Sequence, residues 1–300
     1  MHPAPSVIIF STLSGAGFGL LFFLGLDPDP PRGWVGFTFF AIAYALACGG
    51  LFSAFFHLKN KKNAWKSYSQ WRTSWLSREA WAAVLALVVM GVFAAGLVFR
   101  DTHFAPLGWV GALLSLATVF TTSMIYAQLR AVPRWNQAAT PAMFLAYALA
   151  GGALLSGRET WSGWLFLLAG AITLWHWWKG DRRFAEVGTT IRSATRLNSG
   201  VTLFEAPHTG DNYLTREMVF RIARKHAVKL RVIGLLAASL VPAILVLAPF
   251  DLGFAAKHAL AGLALLIHLG GVFVTRWLFF AEAEHVVGLY YGAHLDRQAA

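Results

Sequence analysis

The sequence predicts an all-α, polytopic integral membrane protein with eight transmembrane helices. Two observations carry this prediction, the composition and the length of the apolar runs. The chain of 300 residues is 57% hydrophobic and 13% charged, whereas soluble domains carry about 25% charged residues. A spanning helix needs roughly 20 apolar residues, because backbone groups in lipid must be hydrogen-bonded within the segment. We therefore expect a single membrane domain over 1–300, with helices at 6–26, 34–58, 79–100, 107–129, 140–157, 162–179, 229–248 and 256–280.

Proline and glycine mark the ends of several predicted helices. The segment Asp27-Pro28-Asp29-Pro30-Pro31 is a turn that no helix crosses, since proline lacks the amide hydrogen that a helix needs. The fifth and sixth helices are short, and a Gly-Arg-Glu segment at 157–159 separates them. Pro242 lies inside the seventh helix, where we expect a kink.

The basic residues orient the chain. With eight spans, both termini and the loops after the second, fourth and sixth helices lie on one side. That side takes most of the 25 Lys and Arg residues, many of them in a long loop at 180–228, while the other side has Arg32, Arg100, Arg158 and Lys257. Since basic residues collect in cytoplasmic loops, we expect a multi-pass protein of the bacterial inner membrane with cytoplasmic termini. The net charge of +11 then points to membrane lipid and protein partners, not to nucleic acid.

The candidate site is the basic and aromatic loop between the second and third helices. His57 and Glu79 mark its two ends at the same membrane edge. A quinone site needs hydrogen-bond donors at the carbonyl oxygens, a group that exchanges protons, and an apolar groove for the tail. Histidine can do both polar tasks near neutral pH, and a partly buried glutamate can relay protons. Ionisable residues inside a membrane are costly, so a functional role is their first interpretation.

Both residues also have a simpler interpretation. His57 is consistent with a helix-end histidine that faces water. Glu79 is consistent with a first-turn acid that stabilises a helix N-terminus, with Ser77 as the cap. The spacing alone leaves these alternatives open.

Haem is a rival chemistry, because two neutral histidines can ligate a b-type haem. The candidates are His176 and His268, with His258 near a helix end. Two ligands of one haem must face each other at a similar depth in the membrane, and the predicted depths of these histidines differ. Cys48 is the single cysteine, too few for an iron–sulfur cluster, which needs about four ligands. No metal-ligand spacing recurs, so we predict no metal site and a partner that supplies electrons.

Two other polar segments have less specific interpretations. Arg276, Glu282, Glu284 and His285 form a second polar group at the cytoplasmic end of the last helix, which we interpret as a snorkelling and capping set. The residues at 215–226 have helical spacing, with apolar side chains on one side and basic ones on the other. Such a helix can lie on the membrane surface or face an acidic partner.

Three segments resemble the membrane-anchor subunit of dimethyl-sulfoxide-reductase-type molybdoenzymes. The first is Phe56-His57-Leu58 followed by Ser74-Trp75-Leu76-Ser77-Arg78-Glu79. The second is Met124-Ile125-Tyr126-Ala127 with Val132-Pro133-Arg134-Trp135 and Thr140-Pro141. The third is Arg276-Trp277-Leu278-Phe279-Phe280-Ala281-Glu282-Ala283. The resemblance runs over nearly the whole chain.

This resemblance implies an integral subunit without its own haem. It implies an iron–sulfur partner subunit, which in turn binds a molybdopterin catalytic subunit, and no covalently bound cofactor in this chain. It assigns the site for ubiquinone or menaquinone to His57 and Glu79, with His57 on a quinone carbonyl and both residues in proton transfer. Arg78, Trp75, Trp71 and Lys59 are the expected wall residues of the site.

One branch of the family is closer. The segment 207–214, followed by 220–227, is similar to the anchor of cytoplasmic sulfite dehydrogenases that reduce quinone. The expected activity is therefore sulfite:quinone oxidoreduction by a three-subunit complex. The alternatives are an anchor that oxidises quinol for a sulfoxide or related reductase, and, in a different class, a transporter, for which we find no matched pair of broken helices.

Overall fold

The computed structural model describes residues 1–58, 60–197, 201, 203–205, 212–218, 226–249 and 253–291. These residues form helices and connecting turns, with no strand among them. The helices are α1 (Pro5–Leu26), α2 (Gly33–Phe55), α3 (Trp75–Phe99), α4 (Ala105–Ala127), α5 (Ala139–Leu155), α6 (Glu159–Val187), α7 (Ile191–Thr195), α8 (Tyr213–Met218), α9 (Ala227–Leu235), α10 (Val241–Leu247) and α11 (Phe254–Ala281). Two 3-10 helices, Lys61–Tyr68 and Val286–Tyr291, complete the described elements.

The all-helical membrane fold predicted from the sequence is confirmed. Among the described residues, six helices are long and apolar enough to cross a membrane: α1, α2, α3, α4, the continuous rod from α9 to α10, and α11. The helix α5 has 17 residues and is shorter than these, and α6 is less apolar. That α5 and α6 also cross the membrane, which would give eight spans, therefore stays a prediction.

Some helices are longer than the apolar runs from which we predicted them, because polar residues continue the helix beyond the apolar run. The helix α3 begins at Trp75, after an extended Ser74, and so starts one turn before the apolar run. The helix α6 continues to Val187 and ends where Gly188 takes a left-handed conformation with φ of 62°. The helix α2 ends at Phe55, and the next residues form a turn.

Helix α1 is the centre of the bundle, since it packs against α2, α4 and α5. Small residues let the backbones approach closely, as in other membrane helix pairs. A Cβ atom added to Gly19 would overlap the Ala148 carbonyl oxygen of α5. A Cβ atom on Gly25 would overlap the Gly108 carbonyl oxygen of α4. These positions therefore require glycine.

The loops meet at two opposite edges of the bundle. At one edge, the Met1 amino group donates to the Ala283 carbonyl, and the Val286 amide donates to the Ala131 carbonyl at 2.9 Å. At the other edge, Arg32 pairs with Asp101 at 3.1 Å. We call the first the loop edge, because it also carries the loop between α2 and α3.

A ring of alternating charges closes the loop edge. Arg134 contacts Asp181 and Glu282, each at 2.7 Å. Arg231 contacts the same two carboxylates at 2.6 and 2.7 Å. The ring therefore ties the ends of α6, α9 and α11 to the segment between α4 and α5. Glu282, expected in a capping set, belongs to this ring.

The rod from α9 to α10 is irregular near its middle. A single π-helical turn, Leu236–Leu240, precedes Pro242. The irregularity thus lies close to the position where we predicted a kink from the proline. Such turns leave backbone carbonyls outside the regular ladder. The Ala238 carbonyl accepts a hydrogen bond from His268 Nδ1 at 2.7 Å.

Candidate functional site

The loop between α2 and α3 folds back onto the first turns of α3. Trp81 donates its indole N–H to the Tyr68 carbonyl at 3.0 Å. Arg78 donates to the carbonyls of Trp71 and Arg72 at 3.0 and 2.7 Å. The first contact joins the end of the 3-10 helix Lys61–Tyr68 to α3, and the other two join the segment that follows it. The basic side chains of the 3-10 helix are exposed.

Glu79 is the buried acid of this region, with 4% of its surface exposed. It points from α3 to α4, where the Thr122 hydroxyl lies 2.5 Å from Oε1. Glu79 is four residues from the start of α3, and Thr122 is five from the end of α4. At 1.5 Å of rise per residue, the Cα atom of Glu79 therefore lies about 6 Å from the start of α3 at the loop edge.

Thr122 can serve Glu79 in both of its protonation states. Its hydroxyl also lies 2.9 Å from the Thr118 carbonyl, and a hydroxyl has one hydrogen and two lone pairs. When Glu79 is ionised, Thr122 donates to it. When Glu79 is protonated, the acid donates to Thr122 Oγ1, and Thr122 donates to the Thr118 carbonyl. Either state is hydrogen-bonded, which suits a group that gains and loses a proton.

The capping interpretation of Glu79 does not fit the structure. Ser74 occupies the N-cap position, and the first turn of α3 has no acidic residue. Ser77, the cap expected from the sequence, lies inside the helix and accepts a hydrogen bond from the Gln70 amide at 3.2 Å. A carboxyl with no capping role, buried at this depth, is unusual without a function.

His57 lies in the turn that follows α2, and its side chain is exposed. Partial burial lowers the pKa of His57 below its ordinary value, and a hydrogen bond with the Ala54 backbone partly offsets this. The ring is therefore mainly neutral near pH 7, and its protonated fraction grows as the pH falls. Among the described residues, no hydrogen bond or ion pair joins His57 to Glu79.

The helices that carry these two residues pack on different neighbours near the loop edge. The Ser53 hydroxyl of α2 donates to the Ser6 carbonyl of α1 at 2.7 Å. On α3, Trp75 packs against Phe120 of α4 with ring centroids 6.0 Å apart. By contrast, Tyr44 of α2 donates to the Leu87 carbonyl of α3 nearer the middle of the helices.

Apolar side chains are exposed at the loop edge, where α2 ends and α3 begins. Phe52 and Phe56 of the α2 end are exposed, as is Leu76 at the start of α3. A protein of this kind presents such apolar side chains to lipid, where an isoprenoid tail also resides. His57 is exposed beside them, whereas Glu79 is buried and points to α4.

The expected wall residues form one cluster beside Glu79. The guanidinium carbon of Arg78 lies 4.3 Å from the Trp75 ring centroid, and Arg78 holds Trp71 through its carbonyl. Trp71 itself is exposed. These three residues shape the loop, and no contact in the described part of the chain joins them to His57. Lys59 lies outside the described residues.

Two residues near Glu79 were not predicted. Thr122 is one of several hydroxyl residues on α4, and the sequence does not distinguish it from the others. Tyr126, one turn later, is buried and packs against Trp135 and Phe144, with ring centroids 5.3 and 5.8 Å apart. Arg276 was expected to snorkel, yet it is 2% exposed. The interpretation as a snorkelling side chain is therefore wrong.

The histidines considered for haem lie apart in the structure. His268 packs against Phe166 with ring centroids 4.7 Å apart, and His176 packs against Phe279 at 5.7 Å. Within the described ranges, no group of three or more His, Cys, Asp or Glu side chains could hold a metal. The basic amphipathic segment begins with α8, and its residues 219–225 lie outside the described part.

Comparison with known proteins agrees with the fold. The family model of the DMSO reductase anchor subunit (DmsC) matches residues 1–292. The chain belongs to this family, and it is the membrane anchor of a DMSO-reductase-type oxidoreductase. It is also 31% identical, over 97% of its length and 99% of the relative, to a sulfite dehydrogenase subunit of Allochromatium vinosum. No solved structure matches the chain.

Proposed function

We propose that this anchor binds a membrane quinone in a cleft between the loop ends of α2 and α3, with His57 and Glu79 as its polar groups. The observation that carries the proposal is the buried Glu79 with Thr122 as its partner, about one helical turn from the loop edge. An acid at this depth can exchange a proton with water at the edge and with a ligand in the cleft.

The residues divide the chemistry of quinone reduction between them. Reduction of a quinone to a quinol takes up two electrons and two protons. His57 hydrogen-bonds one carbonyl oxygen and donates most strongly when its ring is protonated, since the Ala54 backbone occupies one N–H. Glu79 delivers one of the two protons to the quinone and is reprotonated from the loop edge. The protonated His57 ring delivers the other proton and is reprotonated from water at the same edge, where it is exposed. Arg78 and Trp75 hold the loop that covers the cleft.

The electrons come from partner subunits. We propose an iron–sulfur subunit that docks at the loop edge and a molybdopterin subunit that oxidises sulfite. The support is the relative named as part of a sulfite dehydrogenase, which aligns over nearly the whole of both chains. We place the loop edge on the cytoplasmic side of the membrane, because the loops rich in Lys and Arg lie at this edge and such loops collect in the cytoplasm. Electron and proton uptake on the same side makes turnover electroneutral.

The direct test is purification of the chain with its partners from membranes in mild detergent. A tag belongs at the C-terminus, because the Met1 amino group is bonded to the Ala283 carbonyl. We expect two larger subunits, molybdenum and iron to copurify, and sulfite to reduce a soluble quinone analogue. A metal-free chain without partners, under conditions that preserve a known complex, would refute the proposal.

The direction of electron flow is tested in the same preparation. The name of the family model favours sulfoxide reduction as the second candidate. Quinol-dependent reduction of dimethyl sulfoxide, with no sulfite-dependent quinone reduction, would replace the sulfite assignment. The quinone site would be unchanged by that result.

A further inference from the structure

Arg276 is a buried cation without a protein counter-charge. It lies on α11 and is 2% exposed. Its Nε and Nη1 atoms have no hydrogen-bond partner in the described structure, and no carboxylate there pairs with it. Its guanidinium carbon lies 3.4 Å from the Phe144 ring centroid, so an aromatic face is its nearest partner. Arginine stays protonated in proteins, and an unpaired buried charge is strongly destabilising.

A small cavity lies beside this guanidinium, between α1, α5 and α11. Its polar lining is Ser11, Thr12, Tyr147, His268 and Arg276. The cavity volume is about 10 Å³. That is room for one water molecule or one monatomic ion. A quinone ring or a sulfur oxyanion does not fit.

Most of the polar lining is already engaged elsewhere. Ser11 donates to the Ile8 carbonyl at 3.3 Å, and Tyr147 bonds the Thr173 hydroxyl at 2.6 Å. His268 uses Nδ1 on the Ala238 carbonyl that the π-helical turn presents. Thr12 Oγ1, by contrast, has no partner in the part of the chain that the structure describes. The groups left free are therefore the hydrogen-bond donors of Arg276 and Thr12.

We propose that this cavity binds one small monovalent anion of chloride size, held by Arg276 and Thr12. The free groups donate hydrogen bonds, the cavity has no acidic lining residue among the described ones, and Arg276 brings a full positive charge. A water molecule would satisfy a donor but would leave that charge uncompensated in the membrane interior. A halide ion satisfies the donors and cancels the charge. The proposal is independent of the quinone site.

The test is the thermal stability of the purified complex as chloride replaces gluconate at constant ionic strength. A ligand that binds the folded state raises the unfolding midpoint with its concentration. We expect a rise of several degrees when chloride exceeds its dissociation constant by about 100-fold. Bromide should act like chloride. Sulfate is too large for the cavity, so any rise that it causes as a general stabiliser should be the same in the unmodified complex and in Arg276→Gln.

Matched variants assign the effect to this cavity. Arg276→Gln should abolish the chloride dependence, and Thr12→Val should weaken it without changing the charge. Arg32→Gln, at an exposed ion pair on the opposite edge, should keep it in full. If Arg276→Gln does not fold, two other measurements test the anion site. These are the chloride dependence of Thr12→Val and the anomalous signal of bromide beside Arg276 in crystals. An unchanged midpoint in all halides, or no bromide at Arg276, would overturn the proposal.

Discussion

The pairing of Glu79 with Thr122 is the residue-scale feature on which the function depends. A buried carboxyl must be hydrogen-bonded in each state that it visits, because an unsatisfied polar group in a membrane is costly. Thr122 meets this need by donating to Glu79 in one state and accepting from it in the other, with the Thr118 carbonyl as its second partner. Loss of the hydroxyl should therefore slow proton exchange and leave the fold intact.

The hydroxyl of Thr122 can be removed with little change of shape. We expect Thr122→Val to lower quinone-linked turnover by about tenfold, because the hydrogen bond to the acid is lost. Turnover with an artificial electron acceptor should not change. The matched control is Thr121→Val, since the Thr121 hydroxyl bonds only carbonyls of its own helix. Equal rates in the two variants would contradict the role of Thr122.

The pH dependence of quinone reduction should report on His57. Burial lowers the pKa of His57, so its protonated fraction is small at pH 7 and grows as the pH falls below about 6.5. If the protonated ring donates to the quinone, the ratio of quinone-linked to artificial-acceptor turnover rises over that range. His57→Asn should show no such rise, because an amide donates at every pH. An identical rise in this variant would exclude His57 as the donor.

Sequence reasoning at this scale found single residues but not their partners. Glu79 is conspicuous as an acid beside a long apolar run, so the sequence alone identifies it. Thr122 lies 43 residues further along the chain, and only helix packing brings the two together. Arg276 was misinterpreted for a similar reason. A position near a helix end does not determine whether a long side chain points to water or into the bundle.

At the scale of the elements, the position of α1 depends on close backbone contact. A Cβ atom on Gly19 would overlap the Ala148 carbonyl oxygen, whereas one on Gly15 has its nearest neighbour at 3.9 Å. Both glycines lie in the same helix, one turn apart. They therefore form a matched pair for testing the packing of α1 on α5.

We expect Gly19→Ala to lower the unfolding midpoint of the purified protein by several degrees, since α1 and α5 must separate. Gly15→Ala should be neutral or slightly stabilising, because alanine favours the helix more than glycine does. Thermal unfolding in detergent measures both effects. Equal unfolding midpoints of Gly19→Ala and Gly15→Ala would contradict the close backbone contact between α1 and α5 at Gly19.

The charge ring at the loop edge is a second feature of the elements. Arg134 and Arg231 come from different segments and share Asp181 and Glu282. Apolar runs predict helices without saying which of them are neighbours, so the sequence did not predict this ring. The ring and the contacts of α1 together set the arrangement in which α4 supplies Thr122 to Glu79.

At the scale of the whole molecule, the sequence predicted the fold class and the grouping of the loops. Long apolar runs were sufficient for the all-helical membrane fold. The alternation of spans placed Met1, Ala131 and Ala283 at one edge, and the structure joins them there by hydrogen bonds. Two helices, α5 and α6, are not among the six that are long and apolar enough to cross a membrane, because α5 is short and α6 is less apolar. The side of the membrane that each edge faces stays a prediction.

Cysteine labelling measures that sidedness. In a Cys48→Ser background, Asn63→Cys lies in the exposed loop between α2 and α3, and Thr102→Cys lies exposed at the opposite edge. A membrane-impermeant maleimide should label Thr102→Cys in spheroplasts and Asn63→Cys in inside-out vesicles, because the basic loops are placed in the cytoplasm. The reverse pattern would put the quinone cleft on the outer side.

The most direct measurement of the central claim is turnover of the assembled complex with Glu79→Gln. We predict that sulfite-dependent quinone reduction falls by about 100-fold or more, the usual contribution of a positioned proton donor. Turnover with an artificial acceptor should stay at the level of the unmodified complex. Glu159→Gln, at the start of α6 on the opposite edge, should leave both activities unchanged. Full quinone-linked turnover in Glu79→Gln would contradict the proposed site between α2 and α3.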